Sequence, residues 1–140
     1  MIGNDKLTEL IGSWAGEESL LASAWGAAGT AEGTLRFTPA PAGGLLVDYA
    51  ETREGTITLT GHGVLCADAW WWFDSYGFIP HEPGDAHWDD ATLVLSRKSE
   101  RGRSVMRLWL DGAELQMLID SAVPADAELI PMLKGRYRRR

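Results

Sequence analysis

The sequence predicts an all-β fold, an antiparallel up-and-down barrel of nine or ten short strands with one short N-terminal helix. Three observations point there. From Ser13 onward the pattern is strand-like and stays so, with side chains expected to alternate between two faces. Sixteen Gly and six Pro in 140 residues punctuate it at short intervals, as the turns of a many-stranded sheet require. No helix of crossover length interrupts it, so sequential strands form a meander. A meander of this length loses its exposed edges by closing on itself. A sandwich of two sheets is the alternative.

Each element has a local reason. Asn4 or Asp5 can cap a first helix by accepting orphan N–H groups, and Leu7, Leu10 and Ile11 then fall at i, i+3, i+4 spacing. Gly12 ends it at a natural C′ position. Residues 4–11 make only one or two turns, so the helix must dock as a plug. Strands are expected over Trp14–Ser23, Ala31–Thr38, Leu45–Thr52 and Thr56–Cys66, with Glu54-Gly55 as a tight hairpin turn. Ala67-Asp68 turns into a Trp-rich strand beginning at Trp70. Pro80–Asp90 reads as an irregular loop with room for a short strand. Thr92–Lys98, Arg103–Leu110 and Glu114–Asp120 follow, joined at Glu100-Arg101-Gly102 and Asp111-Gly112. Ser121–Met132, with two prolines, reads as a loop before a last strand over Leu133–Arg138.

Length and composition set the outer bounds. The chain fits one domain, 1–140, able to bury roughly two-thirds of its unfolded surface. Its net charge is −7, and its basic residues cluster only at Arg136, Arg138, Arg139 and Arg140. That is a poor phosphate-neutralising face, so nucleic acid is not an expected partner. Cys66 is the single cysteine, which excludes an internal disulfide and a Cys-based zinc cage. The first six residues lack a signal-peptide pattern. No apolar run approaches the roughly 18 residues of a membrane span, and a cytoplasmic protein is the default expectation.

The stretch with most to say is Gly61-His62-Gly63 followed by Trp70-Trp71-Trp72-Phe73-Asp74-Ser75-Tyr76-Gly77. In a strand, Trp70, Trp72 and Asp74 share one face, while Trp71, Phe73 and Ser75 share the other. One set must line an enclosed interior, and the other needs cover. A homodimer through the Trp71/Phe73 face would provide it; the Pro80–Asp90 loop is the alternative cover.

Several motifs carry a resemblance. Gly12-Ser13-Trp14 after a short helix, with Tyr137-Arg138 at the far end, resembles the calycin signature of lipocalins and fatty-acid-binding proteins. That resemblance implies Trp14 at the closed end of the barrel, with Arg138 packed across its ring. The chain is also similar to the DUF1579 family of bacterial lipocalin-like domains. The similarity runs through Trp14-Ala15-Gly16-Glu17, Gly43-Gly44-Leu45, Asp48-Tyr49, Gly61-His62-Gly63, Trp72 to Gly77 and Gly135-Arg136-Tyr137-Arg138. It implies a barrel with a cavity and no established activity. The nitrobindins, a neighbouring group, hold haem behind a Gly-x-Trp-x-Gly-x-Gly strand. Gly12, Trp14 and Gly16 match that motif, but Glu18 replaces the third glycine and no His follows His87. Both departures count against haem, and no cofactor is expected.

The candidate cavity residues follow from these patterns. His62 could face inward as a proton donor, acceptor or ligand, its glycine neighbours letting a ligand or bulky group approach; the alternative is an outward or structural His. Asp74 beside indoles would be partly desolvated, which suits acid/base work, or it caps the turn with Ser75 and Gly77. Glu18 shares the face of Trp14 and could reach the cavity floor or lie exposed. Trp70, Trp72, Trp109, Tyr49, Phe37, Leu45, Val47, Met106 and Met117 are candidates for core or lining. Arg107 could pair an acidic head group if inward, as such an Arg does in the fatty-acid carriers this barrel resembles. Glu18, His62 and Asp74 sit on three strands, and nothing in their spacing requires a catalytic set. No Gly-x-Ser-x-Gly elbow is present. His81 and His87, among Glu82, Asp85, Asp89 and Asp90, match no zinc or EF-hand spacing and read as a solvated loop able to act as a flap. The expectation is a binding protein for a small apolar or amphipathic molecule. A haem protein, or a small hydrolase or isomerase using His62 with a carboxylate, stands as the alternative.

Overall fold

A computed structural model describes residues 4–23, 26–77 and 79–140. The N-terminal stretch read for a signal peptide lies partly outside them, as does the Asn4 side chain, one of the two expected helix caps. Helix α1 spans Asn4–Thr8 and is followed by ten strands. These are β1 Gly12–Leu20, β2 Gly29–Pro39, β3 Leu45–Arg53, β4 Thr56–Cys66 and β5 Ala69–Asp74. Then come β6 Gly84–Asp89, β7 Thr92–Ser99, β8 Gly102–Asp111, β9 Glu114–Ala122 and β10 Ile130–Arg139. Each strand pairs antiparallel with its successor, and β10 pairs with β1 to close the barrel.

Two expected loops are partly strand. The Pro80–Asp90 segment contains β6, which pairs with β7 from Asp85↔Ser96 to Asp89↔Thr92. The second proline-bearing segment is shorter than expected because β9 runs on to Ala122 and β10 begins at Ile130. Pro131 is accommodated by a register shift before Leu133, since proline lacks the N–H that a regular ladder needs. Conversely, β1 stops at Leu20 rather than reaching Ser23.

Alternation sorts the side chains. On β1 the buried residues are Trp14, Glu18 and Leu20; on β3, Leu45, Val47, Tyr49 and Glu51. Trp70 and Trp72 are 3% and 8% exposed, whereas Phe73 on the opposite face is 39% exposed. One end is closed by α1, whose Leu7 and the following Leu10 are buried in the core. Trp14 donates its indole N–H to the Leu10 carbonyl at 2.9 Å. The guanidinium over the Trp14 ring belongs to Arg139, with Cζ 4.3 Å from the centroid. Arg139 also donates to the carbonyls of Ile11 and Glu9, both at 2.6 Å. This corrects the expectation for Arg138. On β10 the inward positions are Leu133, Gly135 and Tyr137, so residue 139 continues that face and Arg138 points out, where it meets Glu114 at 3.2 Å.

The Gly61 and Gly63 positions explain how two indoles fit inside. A Cβ on Gly61 would strike the six-membered ring of Trp72, and one on Gly63 would strike that of Trp70. The rings occupy the space those β-carbons would need, beside bare backbone of the neighbouring strand, with Gly63 directly opposite Trp72. The glycines therefore admit a bulky neighbour, and the residue between them faces the other way.

Candidate functional site

Opposite α1 the barrel encloses a cavity of about 150 Å³. Its inner part is apolar, walled by Phe37, Trp70, Trp72, Met106, Leu108 and Met117. Trp70 and Trp72 stack with centroids 5.9 Å apart, and Tyr49 leans on Trp72 at 6.3 Å. Polar side chains begin toward the mouth. Arg53 with Glu51, and Arg97 with Asp74, stand on the wall, joined by Arg101 and Arg103.

Of the expected lining, Trp70, Trp72, Asp74, Tyr49 and Met117 are in the cavity wall, with Phe37, Val47 and Met106. Asp74 serves the turn at the same time. Its Oδ1 accepts the Tyr76 backbone N–H at 3.0 Å and its Oδ2 accepts the Trp72 indole N–H at 3.1 Å. Glu18 is inside but behind the wall: 1% exposed, it accepts both bonds of the Tyr49 hydroxyl at 2.8 and 2.9 Å and that of Tyr137 at 2.5 Å. Burial pushes its carboxyl up to about 7, while the two phenols pull the other way and Glu51 adds to the rise. Both phenols are pushed well above the ordinary range, by burial first and then by the Glu18 charge.

Three expected lining residues lie outside. His62 is exposed on the outer face of β4, its Nδ1 2.8 Å from Asp48 Oδ1 on β3. The reason is parity: Gly61 and Gly63 take the inward positions. Arg107 is on the outer face of β8, bonded to Asp120 at 3.3 Å. Trp109 shares that face, the cavity being lined instead by Met106 and Leu108. His81 and His87 are exposed as well, so none of the three histidines reaches the cavity to serve as an axial haem ligand. Among the described residues no group of three His, Cys, Asp or Glu side chains could hold a metal ion.

Apart from Asp74, sequence reading missed the polar part of the wall. Leu93, Leu95, Arg97 and Ser99 share one face of β7, and Tyr49, Glu51 and Arg53 share one face of β3. A charged residue continuing an otherwise apolar parity was the available signal. The fold places these side chains near the end of each strand, at the open end of the barrel.

The site and fold together define a class, a closed ten-stranded antiparallel β-barrel with an apolar cavity and a polar mouth. Comparison with solved structures agrees on the fold. The chain is similar to Rv2717c from M. tuberculosis, at a TM-score of 0.72 and 14% identity over 97% of this chain and 96% of that one. It also resembles a redesigned beta barrel, with TM-score 0.55 and 14% identity over 95% and 93% of the two chains. A third is a point mutant of the fluorescent protein UnaG, with TM-score 0.53 and 10% identity over 96% and 98%. No protein-family model and no curated sequence matches. Among the described residues no helix is long and apolar enough to cross a membrane.

Proposed function

We propose that this protein binds a small apolar or amphipathic molecule in the barrel cavity, as a cytoplasmic carrier or sensor without covalent chemistry, within the DUF1579-like group that its motifs resemble. The observation that carries the reading is the cavity itself: about 150 Å³ of space between stacked Trp70 and Trp72 on one side and Met106 and Met117 on the other. Apolar walls with a few polar groups at one end are the usual composition of a small-molecule site. The haem alternative needed His62 or a loop histidine as axial ligand, and none of the three histidines lines the cavity. The hydrolase alternative needed His62 with a carboxylate, and His62 meets Asp48 on the outer face, away from the cavity.

Native mass spectrometry of gently purified protein tests this first, since a co-purified ligand adds mass that leaves on denaturation. Calorimetric titration with neutral naphthalen-2-ylmethanol tests it independently. Binding is expected for the wild type and for Trp71→Asp, which alters only the outer face, and is lost in Trp72→Asp. No binding by any form, and no added mass, would remove the cavity reading.

The outer residues Trp71 and Phe73 extend the proposal. Phe73 is 39% exposed, so the segment carrying β6 leaves it uncovered, and a second copy of the chain is the proposed cover.

A further inference from the structure

The barrel has a seam. β5 and β6 pair only at Ala69↔Asp85 and Trp70↔Gly84, and β6 reaches along β7 only as far as Ser96. Toward the mouth, Trp71–Asp74 on one side and residues 97–99 on the other therefore have no β6 between them. Across that notch, from inside, stand Arg97 and Asp74. Their closest atoms, Nη2 and Oδ2, are 3.8 Å apart, inside Coulomb range but too long for a hydrogen bond.

The two partners differ in how well they are satisfied. Asp74 accepts from the Trp72 indole and from the Tyr76 backbone. Arg97 carries five N–H donors in a planar fork, its side chain is only 29% exposed, and it donates no hydrogen bond among the described residues. Burial pulls its guanidinium down from its ordinary value while Asp74 holds it up, yet an arginine keeps its charge in proteins. A mostly desolvated cation with unspent donors beside an apolar cavity is a favourable place for an anion.

Charge around the mouth points the same way. The cavity wall carries four arginines, Arg53, Arg97, Arg101 and Arg103, against two carboxylates, Glu51 and Asp74, an excess of two positive charges in a chain of net −7. Glu51 is committed to Arg53 and Thr58, at 3.2 and 2.9 Å. The loops outside carry Glu54, Glu82, Glu100, Asp126 and Glu128, with Lys98 exposed beside them on β7, so the cationic wall stands inside a mainly acidic rim. That distribution suits a small anion drawn inside and disfavours an anionic lipid surface laid over the rim.

We propose that the seam between β5 and β7 is a carboxylate-binding site, in which Arg97 takes the head group of an organic acid whose apolar body lies against Trp72 and Met117. The ligand carboxylate accepts from the Arg97 fork, and the fork turns from Asp74, which keeps its two other donors. This rests on the cavity reading above and narrows it from any amphipathic molecule to an acid.

The test is calorimetric titration of the full chain with three probes sharing one apolar body: naphthalene-2-carboxylate, naphthalen-2-ylmethanol and naphthalen-2-ylmethylammonium. The carboxylate is expected to bind at least tenfold more tightly than the alcohol, and the ammonium more weakly than either. Arg97→Gln brings the carboxylate to the level of the alcohol, and Arg97→Lys, which keeps the charge and loses the fork, retains part of the preference. Arg36→Gln, the same charge change on an exposed outer position of β2, leaves it intact. Equal binding of acid and alcohol by the wild type overturns the inference while the cavity reading stands. An acid preference that survives Arg97→Gln places the anion elsewhere and also overturns it. Binding of none of the three removes the cavity reading and this inference together.

Discussion

The indole of Trp72 occupies the space that a β-carbon on Gly61 would need. Two strands thus share one interior position, glycine giving up its side chain so that the tryptophan ring can fill it. Gly61→Ala forces the indole or the β4 backbone to move, and overpacking of this kind costs about 1–3 kcal/mol. Combining it with Trp72→Phe, which removes the colliding ring, should cost less than the two changes summed. Urea denaturation of the four proteins measures the coupling, and strict additivity would show that the ring has room elsewhere.

The barrel is closed by Arg139 rather than by its neighbour. Arg139→Ala removes the stacking on Trp14 and two bonds to carbonyls beyond α1. A cation–π contact and charged hydrogen bonds together suggest a loss of about 1–3 kcal/mol, reduced by exposure of the arginine. Arg138→Ala breaks only a surface pair with Glu114 and should stay within about 0.5 kcal/mol of wild type. A larger loss for Arg138→Ala than for Arg139→Ala would reverse the assignment.

Glu18 makes stability fall as pH rises through weak acid. Its folded-state pKa is raised, from 4.5 to about 7, so the folded protein holds this proton more tightly than the unfolded chain does. The contribution is fully present below about pH 4.5 and is lost as pH rises toward 7. The size is on the order of 3 kcal/mol for a displacement of this extent. Glu18→Gln keeps a group able to bond both phenols but cannot ionise. Denaturation midpoints between pH 4.5 and 8 should fall less steeply for this variant, and parallel profiles would show that Glu18 does not titrate in that window.

The outer pair of His62 and Asp48 should be dispensable for binding. Both side chains are substantially exposed, at 46% and 60%, and exposed ion pairs contribute about 0–1 kcal/mol. His62→Ala should leave the affinity for the neutral naphthalene probe unchanged and the urea midpoint nearly so. A clear loss of affinity would mean that the outer face communicates with the cavity.

Sedimentation velocity tests the pairing of two copies. Wild type is expected as a dimer, and Phe73→Asp, on the outer face of β5, as a monomer with unaltered circular dichroism. A monomeric wild type would leave the patch for another partner.

How much could be read from the sequence depended on whether a strand's two faces differ. On β5, Trp70, Trp72 and Asp74 fell together by parity alone, and the cavity wall follows them. β4 set Thr58, Thr60 and His62 on one face against Leu59, Gly61, Gly63 and Leu65 on the other, an apolar parity interrupted at its centre by the two glycines. The informative residues were Gly61 and Gly63, whose missing side chains mark the inner face only once they are set against Trp70 and Trp72 on the next strand. β8 was ambiguous for the opposite reason. Val105-Met106-Arg107-Leu108-Trp109-Leu110 is apolar on both faces, and the placement of Arg107 and Trp109 turned on registers that only the closed barrel fixes. The Glu18 cluster needs β1, β3 and β10 together, residues up to 119 positions apart. Arg97 lay on a face that begins with Leu93 and Leu95, where a lone charge drew less notice than the indoles.

The contact between Arg139 and Ile11 spans 128 positions, because β1 finds its second neighbour in the last strand. Every other strand pair is sequential and can form as a local hairpin. During synthesis the first strand must therefore wait for β10 to emerge before it gains that neighbour. In the interval the sheet carries two bare edges that could pair with another nascent copy. Closing the circle is the step that carries the largest loop-entropy penalty. The stacking of Arg139 on Trp14 thus acts as a completion check: it can form only once β1 and β10 have met.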